Sequence, residues 1–429
     1  MQLCALVDLE RGFIGRDVYF DEAVYRAELE RVFAKCWLVV GHESQLAAPN
    51  DFFTQYMGED PVLVTRDVAG QIRVFLNSCT HRGMKICREE AGNARAFECP
   101  YHGWTFDTSG RLAAVPHELA AYGANFQRES RALIEAPKVE SCAGFIFASW
   151  DTDVVPLRTY LGDLRWYLEL MAARQLGRLE VLPGQQRYKV AGNWKVAAEN
   201  FAGDNYHTTH THASAIITGA LPPILGTGPD HTVSFPYGHG TQLIPDPGTK
   251  FSAELAWAKT LGPEAVEYLE ALRSKLVRVG TEAQSELFGL GVSNIFPHFS
   301  FNDFSVFHAS TLIWWHPRGA NAMEVWQSLT YDSEAPRALR EYVLELATGE
   351  QAVAGFFGQD DVENIEQVTA ASRGVVSRRA PFDYTMGLGT PPRTDSRLPG
   401  QVYPSITEQN QRNFYSYWLS CMNGDAGRG

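Results

Sequence analysis

Residues 79–104 read CTHRGMKICREEAGNARAFECPYHGW, and this stretch carries two pairs of cysteine and histidine. The first pair is Cys79-x-His81, and after 17 residues it is followed by Cys99-x2-His102. Thiolate and imidazole groups at such short spacings are typical metal ligands. The pattern therefore predicts that two loops present two sulfur and two nitrogen donors to one centre.

This ligand set suits a Rieske [2Fe–2S] centre, in which one iron takes both cysteines and the other takes both histidines. Gly83 and Gly103 follow the pairs closely, and glycine suits loops that bend tightly around an inorganic core. The alternative is a structural zinc site with the same four ligands. Zinc sites more often pair C-x2-C with H-x3-5-H, whereas each arm here contains both residue types. The spacing therefore favours the iron–sulfur centre.

The composition indicates an ordinary globular protein. The chain has 429 residues, of which 37 are Lys or Arg and 50 are Asp or Glu, giving a net charge of −13. Such acidity argues against nucleic acid as a partner. We find no apolar run of the roughly 18–20 residues that a membrane span needs. The N-terminal MQLCALVDLERGF does not resemble a signal peptide, so we predict a cytoplasmic protein without a membrane partner.

Periodicity predicts an α+β protein with an all-β module inserted near its N-terminus. Residues 21–37 have the apolar spacing of a helix that Asp21 can cap, and short strands separated by turns follow. We predict an all-β Rieske domain over residues 38–155. Residues 1–37 and 156–429 are predicted to form a larger catalytic domain, with an antiparallel sheet and covering helices.

Within the larger part, helices are predicted over residues 160–177 and 192–209. The segment 219–250 is rich in glycine and proline and is predicted to be a long surface loop. Later strands and helices follow, the last helices near 334–347 and from about 361. No G-x-G-x-x-G or Walker sequence is present, which argues against direct nucleotide binding.

A second group of candidate ligands lies in ENFAGDNYHTTHTHASA, residues 199–215. Two histidines and one carboxylate on one face of a metal form the facial triad of non-haem Fe(II) oxygenases. On a regular helix His207 and His210 lie close to one face, whereas His207 and His212 are about 140° apart. Irregular helical turns can realign the latter pair. Spacing alone therefore leaves the choice of histidines open.

Several ordered motifs carry a family resemblance. Besides CTHRG and CPYHGW, the chain contains ERGFIGRDVY, WLVVGHESQ, NWKVAAENFAGDNYH and FGQDDVENIE. Together they resemble the large (α) subunit of aromatic ring-hydroxylating oxygenases over nearly the whole chain. The motif sequences are most similar to those of the naphthalene- and biphenyl-type dioxygenases.

The resemblance implies which residues bind the second iron. It maps the two iron-binding histidines onto His207 and His212, leaving His210 as a polar neighbour, and the carboxylate ligand onto Asp361. Asp360 and Asp361 could also cap a helix beginning near Val362. Asp204 is implied to hydrogen-bond His207 and, across a subunit boundary, the cluster ligand His102 of a neighbouring copy.

The function implied by the resemblance is that of a terminal oxygenase. Electrons from NAD(P)H are expected to arrive indirectly, through a reductase and a ferredoxin. With O2 they would convert an aromatic ring to a cis-dihydrodiol, as in the catabolism of aromatic hydrocarbons. An α3 trimer or an α3β3 assembly with small β subunits is expected.

The same sequence features are compatible with other functions. A Rieske monooxygenase, either a hydroxylase or a demethylase acting on a substituted or carboxylated ring such as salicylate, would use the same motifs. A pure electron-transfer protein would need only the β module, and a zinc-stabilised binding protein would be colourless. Phe201, Phe356 and Phe357 are candidate pocket residues. Basic side chains that could bind an acidic substrate are Arg373, Arg378 and Arg379. Basic side chains that could attract an acidic ferredoxin are Arg82, Lys85, Arg88 and Arg95.

Overall fold

The structure is a computed structural model, and its residue contacts divide the chain into two compact units. One unit is contiguous, residues 33–154, and the other combines residues 1–32 with 155–429. The predicted α+β class is confirmed, with a small β unit and a larger mixed unit. The residues described are 6–218, 231–243, 250–279, 290–303, 309–393 and 398–425.

The contiguous unit consists of small antiparallel sheets. Two apolar runs within residues 60–76, separated by a turn, form a hairpin whose strands pair Val64 with Val74, and both side chains are fully buried. In spatial order, its sheets contain Ile72–Leu76, Asp60–Arg66, Asp51–Met57 and Ala91–Asn93; Leu112–Ala114, Thr105–Asp107 and Ala96–Glu98; and Lys138–Cys142, Phe145–Ser149 and Leu38–His42. One short helix, Glu118–Tyr122, and 3-10 turns at Glu43–Leu46 and Glu129–Arg131 complete its described elements.

A hydrophobic cluster in this unit surrounds the predicted sulfur ligands. Cys79 and Cys99 are buried together with Phe97, Trp104 and Phe106. Burial of these large side chains stabilises the base of the two loops. The ligand loops are therefore supported from the core side.

The larger unit is built on one antiparallel sheet. In the described part of the chain this sheet contains nine strands, and its central strands are buried along their whole length. The spatial order is Leu179–Val181, Met323–Asp332, Thr311–Pro317, Phe299–Asn302, Leu290–Ile295, Gly240–Leu243, His231–Ser234 and Gln401–Pro404, with Gln186–Val190 also paired to Met323–Asp332. A separate small sheet contains Val7–Asp8, Phe13–Ile14 and Phe382–Asp383.

Helices pack against this sheet and carry the candidate ligands. Trp194–Phe201 lies against three central strands, and Gln409–Asn423 lies against the strands at His231–Ser234 and Gly240–Leu243. The other described helices of this unit are Asp17–Phe20, Glu22–Glu28, Leu157–Leu161, Leu164–Ala173, Thr208–Thr211, Ala213–Ile217, Lys250–Leu261, Pro263–Val279, Arg337–Gln351 and Gly358–Ser372, with 3-10 turns at Pro236–Gly238 and Ser377–Arg379. Among the described residues, no helix is both long enough and apolar enough to span a bilayer.

Three predictions of local structure were wrong. The predicted helix 192–209 is interrupted after Phe201, because Asp204 forms a side-chain turn there. The predicted loop 219–250 contains two paired strands in its described part, residues 231–243, because those residues complete the buried sheet; residues 219–230 and 244–249 lie outside the described residues. The last ligand-bearing helix begins at Gly358 rather than near Val362, so Asp360 and Asp361 occupy its first turn.

The N-terminal segment is anchored to the larger unit through a buried carboxylate. As predicted, Asp21 caps the helix Glu22–Glu28, which then continues as a π-helical turn, Leu29–Phe33. The Glu28 carboxylate pairs with Lys195 Nζ at 2.7 Å and accepts hydrogen bonds from the indoles of Trp194 (3.0 Å) and Trp418 (2.8 Å). Breaking a buried pair of this kind costs about 3–5 kcal/mol. Glu28 therefore links segments that are far apart in sequence.

Candidate metal centres

The two loops predicted to bind a cluster share one backbone pattern. The peptide N–H groups of Cys79 and Cys99 each donate to the carbonyl five residues later, at 2.8 and 2.7 Å. The N–H groups of Gly83 and Gly103 donate back to the cysteine carbonyls, at 2.8 and 2.9 Å. Both glycines adopt left-handed φ values, +74° and +71°, which other residues rarely adopt. Each cysteine is thus held at the start of a tight turn.

Aromatic rings surround the two predicted histidine ligands of this unit. The rings of His81 and His102 are 4.5 Å apart between centroids. The indole of Trp104 stacks on His81 at 4.8 Å, and the ring of Tyr101 lies 3.7 Å from that of His102. The Tyr122 hydroxyl is 3.5 Å from His81 Nε2. These contacts restrict the orientation of both imidazoles.

The four side chains fit an iron–sulfur cluster. Cys79 and Cys99 are free thiols with 3% and 1% exposure. Burial raises the pKa of Cys79, whereas burial and the neighbouring His102 and Arg82 lower the pKa of His81, which keeps that imidazole neutral. Among the described residues, His81 Nδ1 is buried and finds no hydrogen-bond partner, a cost of about 1–3 kcal/mol. A bound metal would satisfy that nitrogen.

An irregular backbone brings the second pair of histidines together. The Asp204 carboxylate accepts the N–H groups of Tyr206 (3.0 Å) and His207 (3.3 Å), which starts a single helical turn, Thr208–Thr211. His212 leaves helical geometry at φ −100° and ψ 31°. As a result, the His207 and His212 rings lie 5.2 Å apart at 73° although they are five residues apart.

Asp361 approaches both histidines from the first turn of helix Gly358–Ser372. Its Oδ1 is 3.6 Å from His207 Nε2 and 3.4 Å from His212 Nε2. One donor atom from each of the three residues lies within 4.8 Å of the others. The three side chains thus converge on a single point.

Two further carboxylates lie behind the imidazoles. Asp204 Oδ1 is 3.6 Å from His207 Nδ1, and Asp360 Oδ2 is 3.4 Å from His212 Nδ1. Each ring therefore presents Nε2 to Asp361 and Nδ1 to a second carboxylate. The side chains are half-buried or buried, with 7% exposure at His212 and 34% at Asp204.

The electrostatics of the group favour a positive charge at its centre. Burial lowers the pKa of His207, but the carboxylates of Asp204 and Asp361 outweigh burial and raise it to about 10. Burial raises the pKa of Asp361, and the two imidazoles overcome that effect and lower it. Both shifts have the same cause, an excess of carboxylate charge that a cation would neutralise.

The group fits a mononuclear metal ion. Asp361 Oδ1 is buried and, in the part of the chain that the structure describes, makes no hydrogen bond. Two imidazole nitrogens face it, and the combination of two histidines and one carboxylate is the donor set of non-haem Fe(II) sites with open coordination positions. His210 is exposed and contacts the Thr209 hydroxyl at 3.2 Å through Nδ1, so it is not part of the group.

A cavity of about 360 Å³ opens beside this group. His207 and Asp361 line it together with Asp204, Asn200 and Glu199. Its polar lining continues in residues not predicted from the sequence, Tyr384, Glu408 and Asp383, and the apolar side chains that line it are Val196, Ile365, Val368 and Phe382.

Burial raises the pKa of Glu199 to about 8, while the Tyr384 hydroxyl, 2.8 and 2.9 Å from the two carboxylate oxygens, lowers it in part. Tyr384 lies 185 residues from Glu199. No local sequence signal reports a contact across that separation.

The candidate pocket residues have different surroundings. The Phe357 ring packs edge-on against His212 at 4.9 Å and contacts Phe356 at 4.3 Å. Phe201 is buried against Trp315 at 5.1 Å. The basic residues Arg373, Arg378 and Arg379 are all exposed.

The remaining predictions concern charged and imidazole side chains outside the two groups. Arg82, Arg88 and Arg95 are exposed, and Lys85 donates to the Tyr56 hydroxyl at 3.2 Å. The other histidines lie outside both groups: His42, His239, His298 and His316 are buried, His231 is half-buried and His117 is exposed, while His308 lies outside the described residues.

The comparisons with known proteins identify the class. The Rieske [2Fe–2S] domain family matches residues 36–125, and the family described as ring hydroxylating alpha subunit (catalytic domain) matches residues 164–424. The chain therefore belongs to the family of ring-hydroxylating oxygenase α subunits. It is the large subunit of an aromatic ring-hydroxylating dioxygenase, an oxidoreductase with a [2Fe–2S] cluster and a mononuclear iron that receives electrons through a reductase.

Relatives of this class match nearly the whole chain. The biphenyl 2,3-dioxygenase α subunit of Rhodococcus jostii is 37% identical, covering 98% of this chain and 91% of that protein. The benzene 1,2-dioxygenase α subunit of Pseudomonas putida is 38% identical, covering 97% and 92%. The crystal structure of naphthalene 1,2-dioxygenase from Rhodococcus sp. bound to indole superposes with a TM-score of 0.85 at 33% identity, covering 97% and 98%.

Proposed function

We propose that this chain adds both atoms of O2 to adjacent carbons of an apolar aromatic ring, giving a cis-dihydrodiol. The overall change consumes one ring, one O2, two electrons and two protons. The convergence of His207, His212 and Asp361 on one point beside a cavity carries the proposal. The relatives named for biphenyl, benzene and naphthalene support an unsubstituted hydrocarbon substrate.

We assign the mononuclear iron to His207, His212 and Asp361. When bound by such a triad, Fe(II) activates O2 and keeps coordination positions open for it. The protein's own part is to hold the ligands: Asp204 orients the His207 ring through Nδ1. The Phe357 ring packs edge to face with His212 and restricts rotation of that imidazole.

We assign the cluster to Cys79, His81, Cys99 and His102, within a Rieske domain over residues 38–155; the remainder, 1–37 and 156–429, is the catalytic domain. The left-handed glycines after each pair allow the loops to turn around an inorganic core. Neutral imidazole ligands in place of thiolates raise the reduction potential of such a cluster. The lowered pKa of His81 supports that neutral form.

The partners follow from the same family membership. We propose that a ferredoxin delivers electrons from a reductase, and that exposed Arg82, Arg88 and Arg95 attract an acidic ferredoxin surface. The relatives are named as α subunits, which supports an assembly with β subunits, α3β3, or a simple α3 trimer. In that ring Asp204 would link His207 to His102 of a neighbouring copy. The cytoplasmic location stays a prediction.

Metal analysis combined with low-temperature EPR tests the proposal. We expect three irons per chain and, after dithionite reduction, the rhombic signal of a Rieske cluster. Zinc in place of iron, or two irons only, would remove the oxygenase assignment. Incorporation of one rather than both atoms of labelled O2 into the product would favour the monooxygenase alternative.

A further inference from the structure

The imidazole of His212 lies between two carboxylates from consecutive residues of one helix. Its Nε2 is 3.4 Å from Asp361 Oδ1, and its Nδ1 is 3.4 Å from Asp360 Oδ2. The first contact belongs to the ligand group already described. The second lies on the opposite side of the ring and has no assigned role.

The position of Asp360 is fixed by contacts between two segments of the chain. It lies in the first turn of helix Gly358–Ser372, where the backbone is rigid. Asn364, one turn further along, donates to the Thr211 hydroxyl at 3.0 Å, directly before His212. The helix and the histidine segment are thus joined on both sides of the Asp360–His212 contact.

Other roles for Asp360 do not fit its surroundings. The N-cap position of this helix is occupied by Phe357, three residues earlier, without a side-chain capping bond, so Asp360 is not the N-cap. Within the described residues, Asp360 forms no ion pair with lysine or arginine, and its side chain contacts His212. Its side chain is only 28% exposed, so water does not fully solvate the charge.

We propose that Asp360 is a positioning residue that accepts a hydrogen bond from Nδ1–H of His212. The Nε2 lone pair of His212 is then directed towards the metal position that it shares with Asp361. A carboxylate behind a metal-binding imidazole fixes its tautomer and orientation and strengthens it as a ligand. Asp204 lies behind His207 in the same way. Each histidine thus has its own carboxylate: Asp204, which precedes both histidines in sequence, and Asp360, from helix Gly358–Ser372. This inference rests on the proposed iron site.

The test measures Fe(II) binding to the full-length protein with its cluster intact. Asp360→Asn keeps an oxygen acceptor without the charge, and Asp360→Ala removes both. We expect anaerobic equilibrium dialysis to give about a 10–100-fold loss of Fe(II) affinity for the alanine variant, a smaller loss for asparagine and substantial rescue by Asp360→Glu. We also expect the S = 3/2 EPR signal of the nitric oxide adduct to change its rhombicity in the alanine variant.

Two controls keep the outcomes distinct. Glu363→Gln removes a charge from the same helix at an exposed position, where the carboxylate contacts only Gln367 in the described structure, and should bind Fe(II) like the wild type. The Rieske EPR signal in each sample reports whether the protein is folded. If Asp360→Ala and Asp360→Asn bound Fe(II) within about twofold of the wild type with an unchanged adduct signal, the role of Asp360 would be refuted while the iron site stood. If the wild type bound no third iron, the proposed function itself would fail.

Discussion

The two candidate metal groups are held in place by different kinds of interaction. In the β unit, backbone hydrogen bonds fix Cys79 and Cys99 at the start of two equivalent turns, and the ligands come from within 24 residues. In the larger unit, side-chain contacts with carboxylates orient His207 and His212, and the third donor lies about 150 residues away. The first group therefore depends on local turn geometry, and the second on charges brought together by the packing of helices.

Removing one candidate ligand from each group is the strongest test of whether each group binds its metal independently of the other. We expect Cys99→Ser to abolish the cluster signal while the mononuclear iron remains, and His212→Ala to remove that iron while the cluster remains. Both should lower product formation by about 100-fold or more, because one variant loses the electron supply to the iron and the other loses the metal that activates O2. Iron content per chain and EPR of the reduced protein are the measurements.

His210→Ala provides the matched control for the histidine variant, because His210 is exposed and two residues from His212. It should keep three irons and turnover within about twofold of the wild type. Loss of iron in this variant, with retention in His212→Ala, would reverse the ligand assignment.

A pair of glycine variants probes the turns of the β unit. Alanine at Gly83 or Gly103 must adopt a left-handed conformation that costs about 1–2 kcal/mol. At Gly103 the new Cβ would also lie 2.8 Å from Pro116 Cγ, whereas at Gly83 the nearest atom is 3.8 Å away. We therefore expect Gly103→Ala to lower the thermal midpoint of cluster bleaching more than Gly83→Ala. Equal midpoints for the two variants would contradict the prediction, because they would show that the contact with Pro116 adds no cost at Gly103.

The smallest expected effect is the change in stability of the larger unit over one pH unit, from pH 6 to pH 7. The pKa of Glu199 is about 8 in the folded protein against 4.5 for an ordinary glutamate, so the folded state holds the extra proton between these values. Stability should fall as pH rises through this window, by at most about 1.4 kcal/mol per pH unit. Glu199→Gln should remove the contribution of this carboxyl and so make the slope smaller. Urea midpoints at pH 6 and pH 7 test it, and an unchanged slope in the variant would contradict it.

Local spacing indicates the candidate cluster loops more directly than the candidate iron site, for a physical reason. The four candidate cluster ligands and the glycines that follow them lie in one short stretch, so their spacing is directly related to the geometry of the two turns. The backbone break at His212, with ψ at 31°, depends on tertiary packing, and regular-helix reasoning could not choose between His210 and His212. Only the family resemblance indicated His212 and Asp361.

The same distinction holds for the fold: elements with local sequence signals were predicted, and elements that depend on distant contacts were not. Short apolar strands between turn residues, such as Asp60–Arg66, and the capping residue Asp21 were recognisable, because the signals are local. The strands within 231–243 were hidden by surrounding glycine and proline, since their pairing with distant strands outweighs local preference. The contacts of Asp360 and Tyr384 join segments about 150 residues or more apart, for which a single sequence carries no signal.

The buried Glu28 carboxylate has a consequence for how the protein is made. Its partners are Trp194, Lys195 and Trp418, so the segment before the β unit acquires its full set of contacts only when helix Gln409–Asn423 has been synthesised. The β unit is contiguous and leaves the ribosome directly after the segment that bears Glu28, before residues 155–429 are made. We therefore expect nascent chains to complete the iron–sulfur unit early, while the segment bearing Glu28 waits for its last partner.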